Sequence, residues 1–271
     1  MALLQDGKLV EYAIERGGAE SLVGNLYKAH IQNILPGMQA AFLDIGTGQN
    51  AFLYLGDIDT KTVFPPMAER ENFHVGQRII VEIAKDARGT KGPQALSKLN
   101  LPGRTLVLLP GADYVGISKR IKEMPARQRL KDIAAAILPK GFGLVMRTAA
   151  EKKSAEELKG ELNYLLDLWE RALARAKVEK KPALLYREQD LVMRTLRDYL
   201  TADVEEAIFD EELSYHRAQK MLEALAPEML GRLTLFRGSN LFREHGILGD
   251  IGELSKRRVD LPSGGFLVIA K

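Results

Sequence analysis

The sequence contains no cysteine, which excludes disulfide bonds, thiolate zinc sites and cysteine nucleophiles within its 271 residues. Long apolar runs are also missing, and none approaches the roughly 20 residues that a membrane-spanning helix needs. The N-terminal segment carries charges too early, and an apolar stretch too short, for a secretory signal. With 46% hydrophobic and 28% charged residues, the composition is that of an ordinary globular protein. We therefore expect a cytoplasmic protein without a membrane span.

The charge of the chain is distributed unevenly. The segment 98–190 carries 19 Lys and Arg against 12 Asp and Glu, although the formal net charge of the whole chain is only +3. A basic middle segment favours an anionic partner for that part of the protein. The same excess spread over a solvated surface would serve only solubility, and charge alone does not decide between the two interpretations.

Residues 24–97 show the alternation and the turn residues of a small β-barrel. The expected strands are 25–35, 39–45, 51–55, 77–84 and a short closing strand near 95–96. A hairpin centred near Thr47 would place Phe42 opposite Phe52 on one face of the sheet. The sequence does not show whether that face is the barrel core or its surface.

If that face is the surface, the two rings would form a stacking platform for single-stranded nucleic acid. Three lysines that are near the rings in sequence would then supply a cationic rim that neutralises phosphates. They are Lys28, Lys85 and Lys91. In the alternative interpretation both rings fill the barrel core and have no role in binding.

The rest of the chain alternates short strands with helices, which is typical of α/β material. Helices are expected at 126–137, 154–176, 189–200, 210–225 and 241–254. The second of these begins with a capping box, in which Ser154 is followed by Glu157 three residues later. An apolar strand is expected over 259–269.

Arg147 and Thr148 follow an apolar strand and could present a guanidinium group and a hydroxyl to one phosphate, which suits a terminal phosphate. The alternative is an ordinary solvated strand end. Lys119 and Arg120, which follow Ser118, form a second basic cluster. The four histidines have no metal-ligand spacing, and no nucleophile elbow or phosphate-binding glycine loop occurs. The residues by themselves predict no catalytic centre.

Several short motifs follow one another along the chain. They are Gly24-Asn-Leu-Tyr-Lys, Leu35-Pro-Gly-Met-Gln-Ala-Ala-Phe-Leu-Asp-Ile-Gly, Ala51-Phe-Leu, Lys85-Asp-Ala-Arg-Gly-Thr-Lys-Gly, Gly116-Ile-Ser-Lys-Arg-Ile, Val145-Met-Arg-Thr-Ala and Leu261-Pro-Ser-Gly-Gly. In this order and spacing they resemble the bacterial ribonuclease E/G family, and the resemblance covers nearly the whole chain.

The resemblance implies an α+β multidomain fold and an endoribonuclease scaffold for RNA decay and ribosomal RNA processing. Residues 24–97 would be an S-one type OB-fold, inserted in an RNase H-like α/β subdomain that consists of 1–23 and 193–254 and is structural. Residues 98–192 would be an α/β sensor of a 5′-monophosphate end. Residues 255–271 would be the first strand of a DNase I-like catalytic domain.

The resemblance also implies roles for individual residues. Phe42 and Phe52 would stack on RNA, and Arg147 and Thr148 would hold the 5′-monophosphate. Gly103 and Val107 would line the terminal nucleotide, and the basic contacts to RNA would be Lys85, Lys91, Lys119 and Arg120. The implied partner is single-stranded RNA, preferentially 5′-monophosphorylated, and a homo-oligomer is also considered.

The family binds catalytic magnesium through an Asp-x-Asn motif and a further Asp, which come after the segment that matches 261–269. We therefore expect no catalytic residue, no metal ligand and no zinc in these residues, and RNA binding without cleavage. The front of the chain also looks trimmed by one strand. A strand over 259–269 without its sheet partners should be mobile or pair with another copy of itself.

Two other functions remain open at this point. The chain could be a stand-alone, non-catalytic RNA-binding or regulatory protein derived from that family. It could also be a nuclease with an unrelated site built from local carboxylates, for example Asp44, Glu82 and Asp86.

Overall fold

The computed structural model describes residues 1–15, 21–58, 73–201, 203–254, 256–261 and 263–269. The chain divides into two compact units, of which one is Met1–Arg16 with Asp190–Lys271 and the other is Gly17–Gln189. The strands are β1 (Ala2–Gln5), β2 (Lys8–Tyr12), β3 (Leu26–Leu35), β4 (Ala40–Asp44), β5 (Ala51–Tyr54), β6 (Arg78–Lys85), β7 (Gln94–Leu96), β8 (Leu101–Pro102), β9 (Leu106–Pro110), β10 (Val115–Ile117), β11 (Phe142–Met146), β12 (Ala183–Tyr186), β13 (Ala207–Phe209), β14 (Leu233–Leu235), β15 (Arg258–Asp260) and β16 (Phe266–Val268). The α-helices are α1 (Met124–Ile137), α2 (Ala155–Val178), α3 (Leu191–Tyr199), α4 (Glu212–Leu225), α5 (Leu241–Glu244) and α6 (Leu248–Glu253).

Strands β3 to β7 form a closed five-stranded barrel in the order β3-β4-β5-β7-β6, with β6 pairing back onto β3. The β5–β7 pair is parallel, and the other pairs are antiparallel. Alternate residues of these strands point inward and are buried, among them Ile31, Leu43, Leu53 and Ile83. The predicted barrel is confirmed, and its architecture is consistent with an OB-fold in an α+β protein. Strand β12 pairs antiparallel with the first residues of β3.

A second, four-stranded sheet follows the barrel, in the order β10-β11-β9-β8. Its inner face is buried against α1 and α2 and carries Leu106, Leu108, Leu144 and Met146. The predicted capping box at the start of α2 is present, because the Ser154 side chain accepts from the backbone N–H three residues later and the reciprocal bond also forms. The outer face of the sheet carries Val107 and Val145, which are partly buried, and Leu109, which is 9% exposed.

In the discontinuous unit, β1 and β2 form a hairpin, and the parallel strands β13 and β14 pack with α3 and α4 around a small apolar core. The predicted helix over 241–254 is wrong in one respect. It is interrupted between α5 and α6 at Gly246, whose φ of 72° ends the first helix in a left-handed conformation.

The predicted single strand over 259–269 is also different in the structure. The chain turns back on itself, with Gly264 at a φ of 84°, so that β15 and β16 pair as an antiparallel hairpin. The backbone groups on the facing edges of β15 and β16 are therefore paired with each other. The side chains of Phe266, Leu267, Val268 and Ile269 remain more than half exposed, and those of Val259 and Leu261 are each 38% exposed.

Candidate functional site

Phe42 and Phe52 face each other across β4 and β5. Their ring centroids are 6.1 Å apart, and the ring planes make an angle of 73°. Both side chains are partly exposed, whereas the neighbours Ala41 and Leu43 are buried in the barrel. Successive residues of a strand point to opposite faces, so the two rings lie on the outer face. The interpretation in which they fill the barrel core is therefore wrong.

The outer row that begins with the two rings continues to a basic side chain. Gln94 of β7 pairs with Phe52 on one side and with Lys85 of β6 on the other. Neighbouring strands lie about 4.8 Å apart, so the Lys85 backbone is about 10 Å from that of Phe52. Lys85 is exposed. The row thus combines two aromatic rings, a type of group that stacks on bases, with an ammonium group, a type of group that binds phosphates.

The loop that carries Lys91 is fixed to the strand that carries Phe52. The Phe52 amide donates to the Pro93 carbonyl at 2.8 Å. A Cβ atom at Gly92 would lie 2.0 Å from the carbonyl oxygen of Asn50, so only glycine allows the loop to approach the β4–β5 hairpin this closely. The exposed Lys91, two residues before Pro93, is thereby held near the strand that carries Phe52.

Lys28, in contrast, does not belong to a cationic rim. Its side chain is 1% exposed, and its Nζ donates to the carbonyl oxygens of Ala176, at 2.6 Å, and of Glu179. Burial is the main cause that lowers the pKa of Lys28, and the nearby Arg78 acts in the same direction. The side chain satisfies carbonyl groups at the C-terminal end of α2, a structural role that its position in the sequence does not reveal.

Arg147 and Gly103 lie together at one end of the four-stranded sheet. The Arg147 guanidinium donates to the Gly103 carbonyl at 3.0 Å, and the Arg147 amide donates to the Thr105 carbonyl at 2.8 Å. The turn is also held by Glu161 of α2, which accepts from the Thr105 amide at 3.1 Å. A Cβ atom at Gly103 would lie 2.9 Å from the backbone carbonyl oxygen of Leu106 and would also meet Glu161 Oε1, so the turn favours glycine.

The hydroxyl of Thr148 lies 3.0 Å from the hydroxyl of Ser118, which follows β10. The Arg120 amide donates to the same Ser118 hydroxyl at 3.3 Å, and the side chains of Lys119 and Arg120 are exposed. The structure thus brings the predicted Arg147–Thr148 pair and the predicted basic cluster to the same end of the sheet, with Ser118 between them.

Val107 lies on the outer face of the sheet. It pairs with Val145, which precedes Arg147 by two residues. The Val107 side chain is partly buried. Sequence reasoning assigned no role to Ser118 or Glu161. Ser118 could have been suspected from its place beside the basic pair, but Glu161 lies 56 residues from the amide it accepts from and gives no local signal.

The carboxylates considered as an independent nuclease site are not brought together. Asp44 accepts from the Gly46 amide at 2.8 Å, Asp86 accepts from the Leu22 amide at 2.7 Å, and Glu82 binds Asn100. Each of these three carboxylates is thus bonded to a different part of the chain. In the part of the chain that the structure describes, no three or more His, Cys, Asp or Glu side chains cluster in a way that could hold a metal ion. Within the same residues, no helix is both long enough and apolar enough to cross a membrane.

Comparisons with known proteins give a consistent result. The sequence model described as "Ribonuclease E/G family" matches residues 100–271. The chain is 36% identical over 279 residues to Ribonuclease G of Escherichia coli (strain K12), an alignment that covers 99% of this chain and 57% of that protein. It is 34% identical to Ribonuclease E of Haemophilus influenzae and 33% identical to Ribonuclease E of Nostoc sp., with 99% of this chain covered in both cases. The alignments cover 30% and 40% of those two proteins, so the chain spans about half or less of the relatives it matches.

Proposed function

Because this chain belongs to the ribonuclease E/G family, we propose that it binds single-stranded RNA and recognises a 5′-monophosphate end. The barrel would bind the body of the RNA strand, and the end of the four-stranded sheet at Arg147 would hold the terminal phosphate. In this proposal the chain is the RNA-recognition portion of an endoribonuclease that acts in RNA decay and ribosomal RNA processing.

The proposal rests mainly on one observation: hydrogen-bond donors of two kinds, a guanidinium group and hydroxyls, lie at the same end of the sheet. Arg147 and Gly103 are joined by a hydrogen bond of 3.0 Å, and the hydroxyl of the next residue, Thr148, lies 3.0 Å from that of Ser118. A guanidinium group and two hydroxyls provide donors in several directions, which suits a phosphate monoester better than a diester because the monoester has more charged oxygens. Lys119 and Arg120 add positive charge for the following phosphates.

The aromatic pair supports the binding part of the proposal. Phe42 and Phe52 are partly exposed on the outer face, and exposed Lys85 and Lys91 lie to the side of Phe52. Stacking on such rings contributes about 1–3 kcal/mol per base and tolerates any sequence. The barrel would therefore bind single strands with little sequence preference.

The test is the affinity of the whole chain for a short single-stranded RNA that carries either a 5′-monophosphate or a 5′-hydroxyl. We expect tighter binding of the monophosphate by the unchanged protein. Arg147→Ala should abolish this preference while general binding remains. The matched control is Lys140→Ala, which removes an exposed positive charge near the opposite end of β11.

A preference that survives in Arg147→Ala would show that the phosphate site is assigned wrongly. Equal binding of the two RNAs by the unchanged protein would leave only the barrel as an RNA-binding site. The same samples, incubated with magnesium, should contain intact RNA, and cleavage would show that a catalytic centre lies within these residues.

A further inference from the structure

Tyr54, the last residue of β5, lies on the same outer face of the barrel as Phe52, because side chains two residues apart in a strand point the same way. The intervening Leu53 is buried inside the barrel, whereas 40% of Tyr54 is exposed. Its cross-strand partner on β4 is Ala40, which carries only a methyl group. Sequence reasoning assigned no role to Tyr54. The outer face thus carries a third aromatic ring on the strand next to Phe42.

The Tyr54 side chain is held in one place. Its hydroxyl donates to Oε1 of Gln39 at 2.8 Å. The ring also lies against the turn that follows β5, since a Cβ atom at Gly56 would lie 2.6 Å from Cε1 of the ring and 3.1 Å from Cζ. A side chain at Gly56 would therefore displace the ring. Because the ring is already fixed in the free protein, it has little conformational freedom left to lose when a ligand binds.

Gln39, which accepts from the Tyr54 hydroxyl, has an unusual backbone conformation. Its φ of 47° lies in the left-handed region, where residues other than glycine are uncommon. The Gln39 amide donates to the Pro36 carbonyl at 3.0 Å, and the Gln39 carbonyl accepts from the Leu55 amide at 2.7 Å. A residue keeps such a conformation only where the surrounding structure enforces it, and such residues cluster at binding sites. The carboxamide is thereby fixed beside the tyrosine hydroxyl.

The aromatic rings and a cation form a series along β5. Since β5 and β7 run parallel, the loop before β7 lies at the start of β5, where Gly92 approaches the Asn50 carbonyl. The exposed Lys91 belongs to this loop. Tyr54 is at the opposite end of β5, and its backbone is about 7 Å from that of Phe52 because a strand rises about 3.3 Å per residue. A single strand that follows β5 therefore meets the cation first, then the ring pair and then Tyr54.

We propose that Tyr54 is a third base-stacking residue, so that the barrel holds one nucleotide more than the pair of Phe42 and Phe52 would hold alone. The inference rests on the proposed function, because it extends the path of the RNA strand across the barrel. The Tyr54 hydroxyl is already bonded to Gln39, so the residue contributes its ring rather than a hydrogen bond to a base. Stacking of this kind accepts every base.

The test is the affinity of the whole chain for 5′-hydroxyl oligouridylates, from the dinucleotide up to about 16 nucleotides, the upper end of the site sizes of OB-folds. The 5′-hydroxyl keeps the terminal-phosphate site out of the measurement. Tyr54→Leu keeps an apolar side chain against Gly56 but removes the ring. It should bind the dinucleotide like the unchanged protein and should bind strands that cover all three rings about 5-fold or more weakly.

Two variants serve as controls. Tyr54→Phe keeps the ring and loses only the hydroxyl, so it should bind within about 2-fold of the unchanged protein at every length. Tyr164→Leu removes a tyrosine that is 54% exposed on α2 and should bind like the unchanged protein. Thermal unfolding of each variant shows whether it is folded. Tyr54→Trp adds a measurement that removes no ring, because a stacked base should quench the fluorescence of the new indole.

The outcomes separate this inference from the proposed function. If Tyr54→Leu binds every strand like the unchanged protein while Phe52→Ala binds more weakly, the third ring binds no base and only the inference fails. A loss that is equal at all lengths, including the dinucleotide, means that the substitution disturbs the ring pair, and it also overturns the inference. The same holds if RNA leaves the fluorescence of Tyr54→Trp unchanged. If neither Phe52→Ala nor Tyr54→Leu changes the affinity, the barrel does not bind RNA through this face, and the barrel part of the proposed function fails together with the inference.

Discussion

The Nζ atom of Lys28 lies 2.6 Å from the carbonyl oxygen of Ala176, and the two residues are 148 positions apart in the chain. Lys28 belongs to the first strand of the barrel, and Ala176 belongs to the last turn of α2. The contact joins the barrel to a helix that packs on the four-stranded sheet. A side chain that looks like part of a basic RNA-binding surface in the sequence is thus a buried structural group.

Lys28→Met should lower the free energy of unfolding by about 1–3 kcal/mol, because the buried carbonyl oxygens of Ala176 and Glu179 lose their donor. Affinity for RNA in the folded variant should stay unchanged. Lys85→Met is the matched control, since Lys85 is exposed on the barrel and should affect RNA affinity and its salt dependence but not stability. Denaturant unfolding and RNA titrations at several salt concentrations measure both effects. If folded Lys28→Met binds RNA more weakly than the unchanged protein, Lys28 contributes to RNA binding and its assignment as a structural group is wrong.

Phe52→Ala should weaken the binding of single-stranded RNA of any sequence by about 1–3 kcal/mol, or roughly 5- to 150-fold. The slope of affinity against salt concentration should hardly change, because no phosphate contact is lost. Tyr164→Ala is the control, because it removes an aromatic side chain that is 54% exposed on α2 rather than on a barrel strand. Equal RNA affinity of Phe52→Ala and the unchanged protein would leave the ring pair without a role in binding.

Gly103→Ala should both destabilise the protein and reduce the monophosphate preference. The added Cβ atom would lie 2.2 Å from Glu161 Oε1 and 2.9 Å from the Leu106 carbonyl oxygen, so the turn that accepts from Arg147 must move. Gly160→Ala is the matched control on α2. Its Cβ atom meets nothing within 4 Å, and the change should stabilise the helix by up to about 1 kcal/mol. Thermal unfolding should show lower stability for Gly103→Ala and higher stability for Gly160→Ala, and the monophosphate preference should fall only in Gly103→Ala. Unchanged stability and preference in Gly103→Ala would contradict the tight turn.

Glu82 should make stability depend on pH near neutrality. Burial raises its pKa from the ordinary value of 4.5 to about 7, although hydrogen bonds from the Asn100 amide and side chain, at 2.7 and 2.8 Å, act in the opposite direction. Since the folded-state pKa is raised, the stabilising contribution is complete below pH 4.5 and is lost as the pH rises through 7. Relative to Glu82→Gln, the unchanged protein should lose up to about 3 kcal/mol of unfolding free energy across this window.

Glu157→Gln provides a control of opposite sign for the same measurement. The Ser154 backbone N–H bonded to Glu157 lowers the pKa of this exposed carboxyl, so its contribution is present at neutral pH and is lost as the pH falls through the lowered pKa. Denaturant unfolding of both variants from about pH 2.5 to pH 8 covers both windows, since the Glu157 contribution is lost below the ordinary pKa of 4.5 and the Glu82 contribution is lost above it. If the difference in unfolding free energy between Glu82→Gln and the unchanged protein does not change with pH, Glu82 is solvated.

Much of the local structure could be predicted before the fold was known. The barrel strands, the capped helix α2 and the opposition of Phe42 and Phe52 follow from alternation, capping residues and turn residues that act within a few positions. One predicted helix and one predicted strand differ in the structure, and both differences occur at glycines. Gly246 and Gly264 adopt left-handed conformations that interrupt one predicted helix and fold one predicted strand into a hairpin.

Other features depend on which surfaces the folded chain covers. Alternation along β4 and β5 shows that Phe42 and Phe52 share a face, but only closure of the barrel makes that face the outer one. Lys28, Lys85 and Lys91 are equivalent as a pattern, yet the end of α2 covers the first and leaves the other two exposed. The Tyr114 segment lies close to the sheet because Gly116 and Gly143 pair there with Val145 and Leu109, which belong to other strands. Local patterns specify dihedral angles and neighbours within a few residues, whereas burial and the assembly of a site are set by contacts between segments that are far apart in the chain.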